Sequence, residues 1–317
     1  MELASFCAAS RVVVVAGKGG VGKTTVTAAL ARAAANAGLS VLIVEVEGKS
    51  GLAGAFARPP LGYEETELAP GLRARTLTPD EALVDYLENA GLRRISRRLA
   101  DSGLLDVVAG AVPGMKDILV LGKVKQLEQA RAADLILIDA PAAGHALKFL
   151  LSPHGLLDAV RVGPIRKQAE DVTQMLSDPQ RCQVLLVTTP EETPVTEVVE
   201  AAYYIEDRIG VALGPVVVNG VYPPSAVPEG IDAAGVQNEA ALLDVFVSDR
   251  EAADLAGAAE FRVIRSRLQT TQVERLSRLL PLPQIHLPFI FFGRVGPDEL
   301  GVLSRAFRRG VDELDVA

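Results

Sequence analysis

Residues 17–24 read Gly17-Lys18-Gly19-Gly20-Val21-Gly22-Lys23-Thr24, the spacing G-x-x-x-x-G-K-[ST]. Each residue type has a chemical reason to be there. Glycines let backbone N–H groups turn inward and approach phosphate oxygens closely. Lys23 then bridges the outer phosphates of a nucleoside triphosphate, and Thr24 sets its hydroxyl on Mg²⁺. Thr25 follows in the same turn and joins the binding set. A tight turn without a ligand would need the glycines but neither the lysine nor the hydroxyl. A second candidate is Asp139, which closes the apolar run DLILID. An acid at the C-terminal end of a parallel strand, beside such a loop, is where a magnesium ion is balanced.

These residues need a scaffold. The run RVVVVA at 11–16 is apolar and β-branched, as a strand covered on both faces should be. A helical pattern follows to about Asn36, with Gly38 just past it as a terminator. SVLIVEVE at 40–47, LRARTL at 72–77, DLILID at 134–139, QVLLVTT at 183–189, GPVVVN at 214–219 and PQIHLPF at 283–289 read as further strands. Thr78-Pro79-Asp80-Glu81 supplies a cap, a first-turn proline and a capping-box acid, and Thr193-Pro194 repeats the cap-then-proline pattern. The alternation predicts an α/β fold with a mostly parallel sheet and helices on both faces. Residues 79–131 read as helix between two strands, a helical insertion on one nucleotide-binding domain spanning 1–317. The proline-rich stretch 221–230 reads as a loop.

Bulk composition narrows the function classes. The chain has 317 residues, 49% hydrophobic and 23% charged, enough for a large core and too apolar for wholesale disorder. A net charge of -8 argues against general nucleic-acid binding, which needs a basic face. Two cysteines, Cys7 and Cys182, exclude a disulfide framework and suit a reducing cytoplasm. His145, His154 and His286 are scattered, so no histidine metal centre is expected. The first ten residues lack a basic region and a long apolar run, and no stretch of 18 residues is free of charges and turn formers. The reading expects neither leader nor membrane span, and a cytoplasmic protein.

Lys18 separates this loop from the ordinary phosphate loop, in which a lysine after the first glycine has no structural role. GKGGVGKTT resembles the deviant Walker A loop of the SIMIBI class of P-loop ATPases. In that class this lysine reaches across a dimer to the partner's nucleotide. The logic is that of an arginine finger, worth about 10³–10⁵ in rate. The alternative is a solvated surface lysine. Asp139-Ala140-Pro141-Ala142-Ala143-Gly144-His145-Ala146-Leu147-Lys148-Phe149-Leu150 then resembles the switch II segment of the arsenite-pump and tail-anchored-protein targeting ATPases, D-T-A-P-T-G-H-T-L-R-x-L. The resemblance implies Asp139 as the Walker B acid holding Mg²⁺ through water. It implies a γ-phosphate contact from the Gly144 N–H, and His145 is read as a loop-fixing residue rather than a catalyst.

Switch I departs from the pattern. Where the family has D-P-A-H-N-L-S-D-A-F, this chain has Glu47-Gly48-Lys49-Ser50-Gly51-Leu52-Ala53-Gly54-Ala55-Phe56. The water-orienting aspartate falls on Glu47, one methylene longer, and a misplacement near 1 Å can cost about 10²-fold. Turnover could therefore be slow, or shared with Glu45. An unengaged strand-end carboxylate is the other reading. Asn219 stands at the family's adenine-reading asparagine, since an amide offers both donor and acceptor, although a strand-end asparagine serving the backbone is an alternative. Pro288 and Phe289 stand in the adenine loop, where Arg294 and Gly296 also align and the intervening aromatics do not.

The resemblance covers about residues 11–310 and points to the single-domain bacterial branch of anion-transporting ATPases. It implies ATP or ADP with Mg²⁺, hydrolysis, and a dimer, either homodimeric or with a paralogous ATPase, whose nucleotide state moves the helical insertion. Other readings are a catalytically weak regulatory subunit and a membrane-cycling ATPase. Clustered cysteines and a C-x-x-C zinc clasp are missing, and three methionines do not make a methionine-rich client groove. The client or membrane partner is left open. Arg93, Arg94, Arg97 and Arg98 read as a solvated basic stripe or an acidic partner's dock, and the apolar stretch 104–121 as insert core or groove. The helix after Pro297 reads as packed on the core rather than on a membrane.

Overall fold

The computed structural model describes residues 2–46, 51–89, 114–141, 143–224, 227–291 and 293–314. Glu47, Lys49, Arg93, Arg94, Arg97, Arg98 and residues 104–113 of the apolar stretch lie outside them.

The architecture is the expected α/β one. Among the described residues, nine strands form one mixed sheet: β1 (Val12–Gly17), β2 (Val41–Val46), β3 (Thr66–Ala69), β4 (Leu72–Leu77), β5 (Leu135–Asp139), β6 (Cys182–Thr188), β7 (Ala212–Leu213), β8 (Val216–Val221) and β9 (Gln284–Pro288). Their order is β3-β4-β2-β5-β1-β6-β8-β9, with β7 beside β6, and every pairing is parallel except β3 with β4. All seven strands expected from sequence are present. β3 and β7 were not expected, because runs of four and two residues carry too little alternation to be seen.

β1 shows why an unbroken apolar run was needed. Val12, Val14 and Ala16 join the core on one face of the sheet, Val13 and Val15 that on the other. The second face is covered by α1 (Leu3–Ala8), α2 (Lys23–Asn36), α3 (Gly51–Ala55) and α11 (Pro297–Glu313). The first is covered by α5 (Met115–Gln129), α6 (Ala143–Ala159), α7 (Pro164–Ser177) and α8 (Glu192–Tyr204), with a π-helical turn at Ile205–Ile209. α4 (Pro79–Asn89) packs on α5 through Ala82, Leu83 and Leu119. α9 (Ala233–Leu242) and the 31-residue α10 (Asp249–Leu279) form a hairpin whose far end joins the first face at Leu276.

Local signals hold at most boundaries. Gly38 has φ +91° and donates to Ala35 O at 3.0 Å, closing α2 as a left-handed terminator should. Thr78 accepts from the Glu81 N–H at 3.4 Å, the cap of α4. One boundary differs. α8 begins at Glu192, so Thr193 lies inside the first turn and its hydroxyl is not the cap. Of the stretch read as an insertion, 79–89 and 115–129 are helical, and α5 is buried in the sheet core rather than standing off it.

Candidate functional site

β1 is the pivot of the sheet. The chain leaves it toward β2 and β4 on one side and later crosses to β6, β8 and β9 on the other. A crevice opens at such a switch point, at the carboxyl ends of the strands. The loop after β1 sits there and runs into the N-terminus of α2. Its glycines are required. A Cβ on Gly17 would lie 2.3 Å from Val187 O of β6, and Gly22 caps α2 with φ +91°, where a Cβ would lie 2.3 Å from Asn219 Nδ2.

Within the loop, Lys23 Nζ donates to Lys18 O at 3.1 Å, so its ammonium lies back against the loop's own backbone. Thr24 Oγ1 donates to Asp139 Oδ2 at 2.6 Å, and Thr27 Oγ1 lies 3.5 Å from Asp139 Oδ1. Asp139 is 6% exposed at the end of β5. A hydroxyl and a carboxylate in contact at a helix N-terminus form a hard oxygen pair, the donor set Mg²⁺ prefers. Beside them, Glu45 on β2 is 3% exposed, in register with Asp139, and accepts from the Thr76 hydroxyl at 3.0 Å. Among the described residues this second buried acid at the site is the candidate to share work with Glu47.

A cavity of about 260 Å³ adjoins the loop, just below the usual size of small-molecule sites. It brings together Gly20, Val21, Thr25, Asn219, Pro288 and Phe289, all singled out from sequence. Asn219 Nδ2 donates to Val21 O at 2.9 Å, so its amide braces the phosphate loop while it lines the cavity. Sequence reading missed the remaining walls. Tyr222 follows the β8 bulge, with its ring centroid 5.1 Å from that of Phe289. Arg265 and Gln269 come from α10, far away in the chain. Gln269 is 6% exposed, accepts from the Tyr222 N–H at 2.8 Å and donates to Gly220 O at 3.1 Å, fixing that wall. Arg265 pairs with Glu191 at 3.1 Å across the rim, and Glu191 holds the Arg265 guanidinium above its ordinary pKa. Only contacts spanning some 45–75 residues assemble these walls, so no local pattern announces them.

Other expected residues stand apart. Lys18 Nζ forms an ion pair with Glu197 Oε1 of α8 at 2.6 Å, with both side chains over a third exposed. It is therefore paired rather than simply solvated. Gly144 and His145 are exposed on the first turn of α6. The Gly144 N–H belongs to a helix start and needs an outside acceptor. His145, read from sequence as a loop-fixing residue, makes no hydrogen bond among the described residues.

A Walker-type loop, an acid on the neighbouring strand and a cavity at the switch point of a parallel sheet define a nucleotide-binding P-loop ATPase. Comparison with known proteins places it more closely. The sequence profile described as anion-transporting ATPase matches residues 10–162. ATPase BagA of Mycobacterium tuberculosis is 32% identical over 308 residues, covering 89% of this chain and 88% of that one. The putative arsenical pump-driving ATPase of Halobacterium salinarum is 27% identical over 65% of this chain and 35% of its own. ATPase get3 of Schizosaccharomyces japonicus is 30% identical over 49% and 50%. The chain belongs to the anion-transporting ATPase family, and it is an ATPase.

Proposed function

We propose that the chain is a dimeric switch ATPase that binds Mg-ATP at the β1–α2 loop and couples hydrolysis to movement of its helices. The observation that carries this is the convergence of Lys23, Thr24 and Asp139 at the N-terminus of α2, with the aromatic-walled cavity beside them. Gly17, Lys18, Gly19, Gly20, Val21, Gly22, Lys23, Thr24 and Thr25 cradle the phosphates. Thr24 and Asp139 hold Mg²⁺, one directly and one through water. Asn219, Pro288 and Phe289 take the adenine. Gly144 offers its N–H to the γ-phosphate, and Glu47 orients the attacking water.

Lys18 completes a partner's site after leaving Glu197. Both side chains of that ion pair are over a third exposed, where such pairs contribute about 0–1 kcal/mol, so releasing it is easy. Turnover per molecule should then rise with protein concentration and collapse in Lys18→Ala. Turnover that is independent of concentration and unchanged in the variant would sink the proposal.

The glutamate at position 47 favours a second reading, a nucleotide-binding regulatory subunit paired with a paralogous ATPase. Under it, the purified chain binds ATP tightly without turnover and Glu47→Ala changes nothing. A membrane-cycling role has less support, because α11 already buries its apolar residues Leu300, Leu303, Phe307 and Val311 in the core.

A further inference from the structure

β4, β2, β5 and β1 lie side by side, and residues level with one another on these parallel strands project to the same face of the sheet. On the face that α2 covers, Ala74, Ile43, Leu137 and Val13 form one such row, and all four are buried and apolar. The next row toward the carboxyl ends of the strands is Thr76, Glu45, Asp139 and Val15. Thr76 is 5% exposed, Glu45 3% and Asp139 6%. Polarity thus enters this layer at the row that meets the N-terminus of α2.

Buried polar groups are costly unless satisfied. Asp139 has the hydroxyls of Thr24 and Thr27 of α2 against it. Glu45 has the Thr76 hydroxyl, which donates to Glu45 Oε2 at 3.0 Å. A threonine hydroxyl has one proton to donate, and here it goes to a carboxylate on the next strand. Neighbouring strands are about 4.8 Å apart, so the two acids stand close enough to serve a single cation.

Mg²⁺ takes one or two protein oxygens directly and keeps several of its waters. With Thr24 as the direct ligand, Glu45 and Asp139 are placed to accept hydrogen bonds from those waters. A glutamate side chain is flexible and needs a donor to fix it. Threonine is stiff at its first side-chain torsion, so Thr76 is a donor that is itself held in place.

We propose that Thr76 is a positioning residue for magnesium, holding the Glu45 carboxylate so that Glu45 and Asp139 together accept from the waters of one ion. The proposal rests on the Mg-ATP reading above and adds to it a second acid and the hydroxyl that aims it. Thr76 touches neither nucleotide nor metal and acts through Glu45.

The full chain loaded with ADP and titrated with Mn²⁺, with bound metal read by electron paramagnetic resonance, tests it. Glu45→Gln and Thr76→Val should each weaken Mn²⁺ binding about tenfold, the scale on which partners behind a metal's direct ligands act. Thr76→Ser, which returns the hydroxyl, should restore the parent affinity. Thr76→Ala, which loses the hydroxyl without adding bulk, should behave as Thr76→Val does. The double variant Thr76→Val with Glu45→Gln should bind Mn²⁺ no more weakly than Glu45→Gln alone, because one residue acts through the other. Affinity for ADP without metal should be the same in all of them. A further loss in the double variant would show a general loosening of the sheet and overturn the positioning role. If Thr24→Ala loses Mn²⁺ while Thr76→Val, Thr76→Ala and Glu45→Gln bind it as the parent does, the proposal falls and the Mg-ATP reading stands. If the parent chain with ADP takes up no Mn²⁺, both fall.

Discussion

At the scale of single residues, Gly22 shows how little freedom the site has. It needs a left-handed backbone, and its Cβ position is taken by Asn219. Gly22→Ala should therefore push Asn219 off Val21 and open the loop. Nucleotide affinity, measured by calorimetry, should fall about tenfold or more, the scale of 1–3 kcal/mol of strain; unchanged affinity would refute the packing argument. Glu45 adds a test on the other side of the loop. Two buried acids in register on neighbouring strands repel unless a cation or protons lie between them. Glu45→Gln should raise the Mg²⁺ concentration needed for half-maximal turnover and leave binding of metal-free ATP nearly untouched. Equal Mg²⁺ dependence in both proteins would remove Glu45 from the site. Burial pushes both cysteine thiols up to about 12. Neither Cys7 nor Cys182 should react with a thiol reagent at pH 8 until the chain is unfolded, which leaves an engineered surface cysteine as the reactive one.

At the scale of elements, α4 is tied to the sheet by a polar cluster rather than by core alone. Asp85 accepts from the Tyr63 hydroxyl and from Lys123 of α5, and Arg75 of β4 stacks 4.3 Å over the Tyr63 ring. Partial burial alone would raise the Asp85 carboxyl, but the donors Lys123 and Tyr63 outweigh it and hold the pKa below its usual value. A depressed carboxyl pKa contributes stability in full above the unfolded value, about pH 4, and loses it as pH falls through the folded value. Asp85→Asn should cost about 1–3 kcal/mol at neutral pH. The gap in melting temperature between the two proteins should close below pH 4; a constant gap would show that the charge is not what counts. None of this cluster was legible in sequence, because its members come from a loop, β4, α4 and α5. The elements themselves were legible where periodicity ran long enough, as in β1 and β2. They were lost where it did not, as in β3 and β7, and at α8 a threonine-proline pair imitated a cap two residues late.

At the scale of the whole molecule, the loop side of the candidate site was readable because one local segment, 17–25, supplies it, with Asp139 from the adjoining strand. The cavity beside it was readable on its far side only at Asn219, Pro288 and Phe289. Its remaining walls, and the partner of Lys18, arise when α8 and α10 fold back over the sheet. The last helix closes the opposite layer. α11 packs on α2 and β9, and Phe307 is fully buried with its ring centroid 6.3 Å from that of Phe6. An amphipathic helix can serve a membrane only by exposing its apolar side, and here that side forms core. Phe307→Ala should therefore behave as a core truncation, lowering stability by about 3–5 kcal/mol in denaturant unfolding. The unaltered chain should not float with anionic liposomes, with or without ATP. If ATP instead brought it to the vesicles while Phe307→Ala unfolded no more easily than the parent, α11 would be a detachable anchor and the membrane-cycling reading would replace the one proposed here.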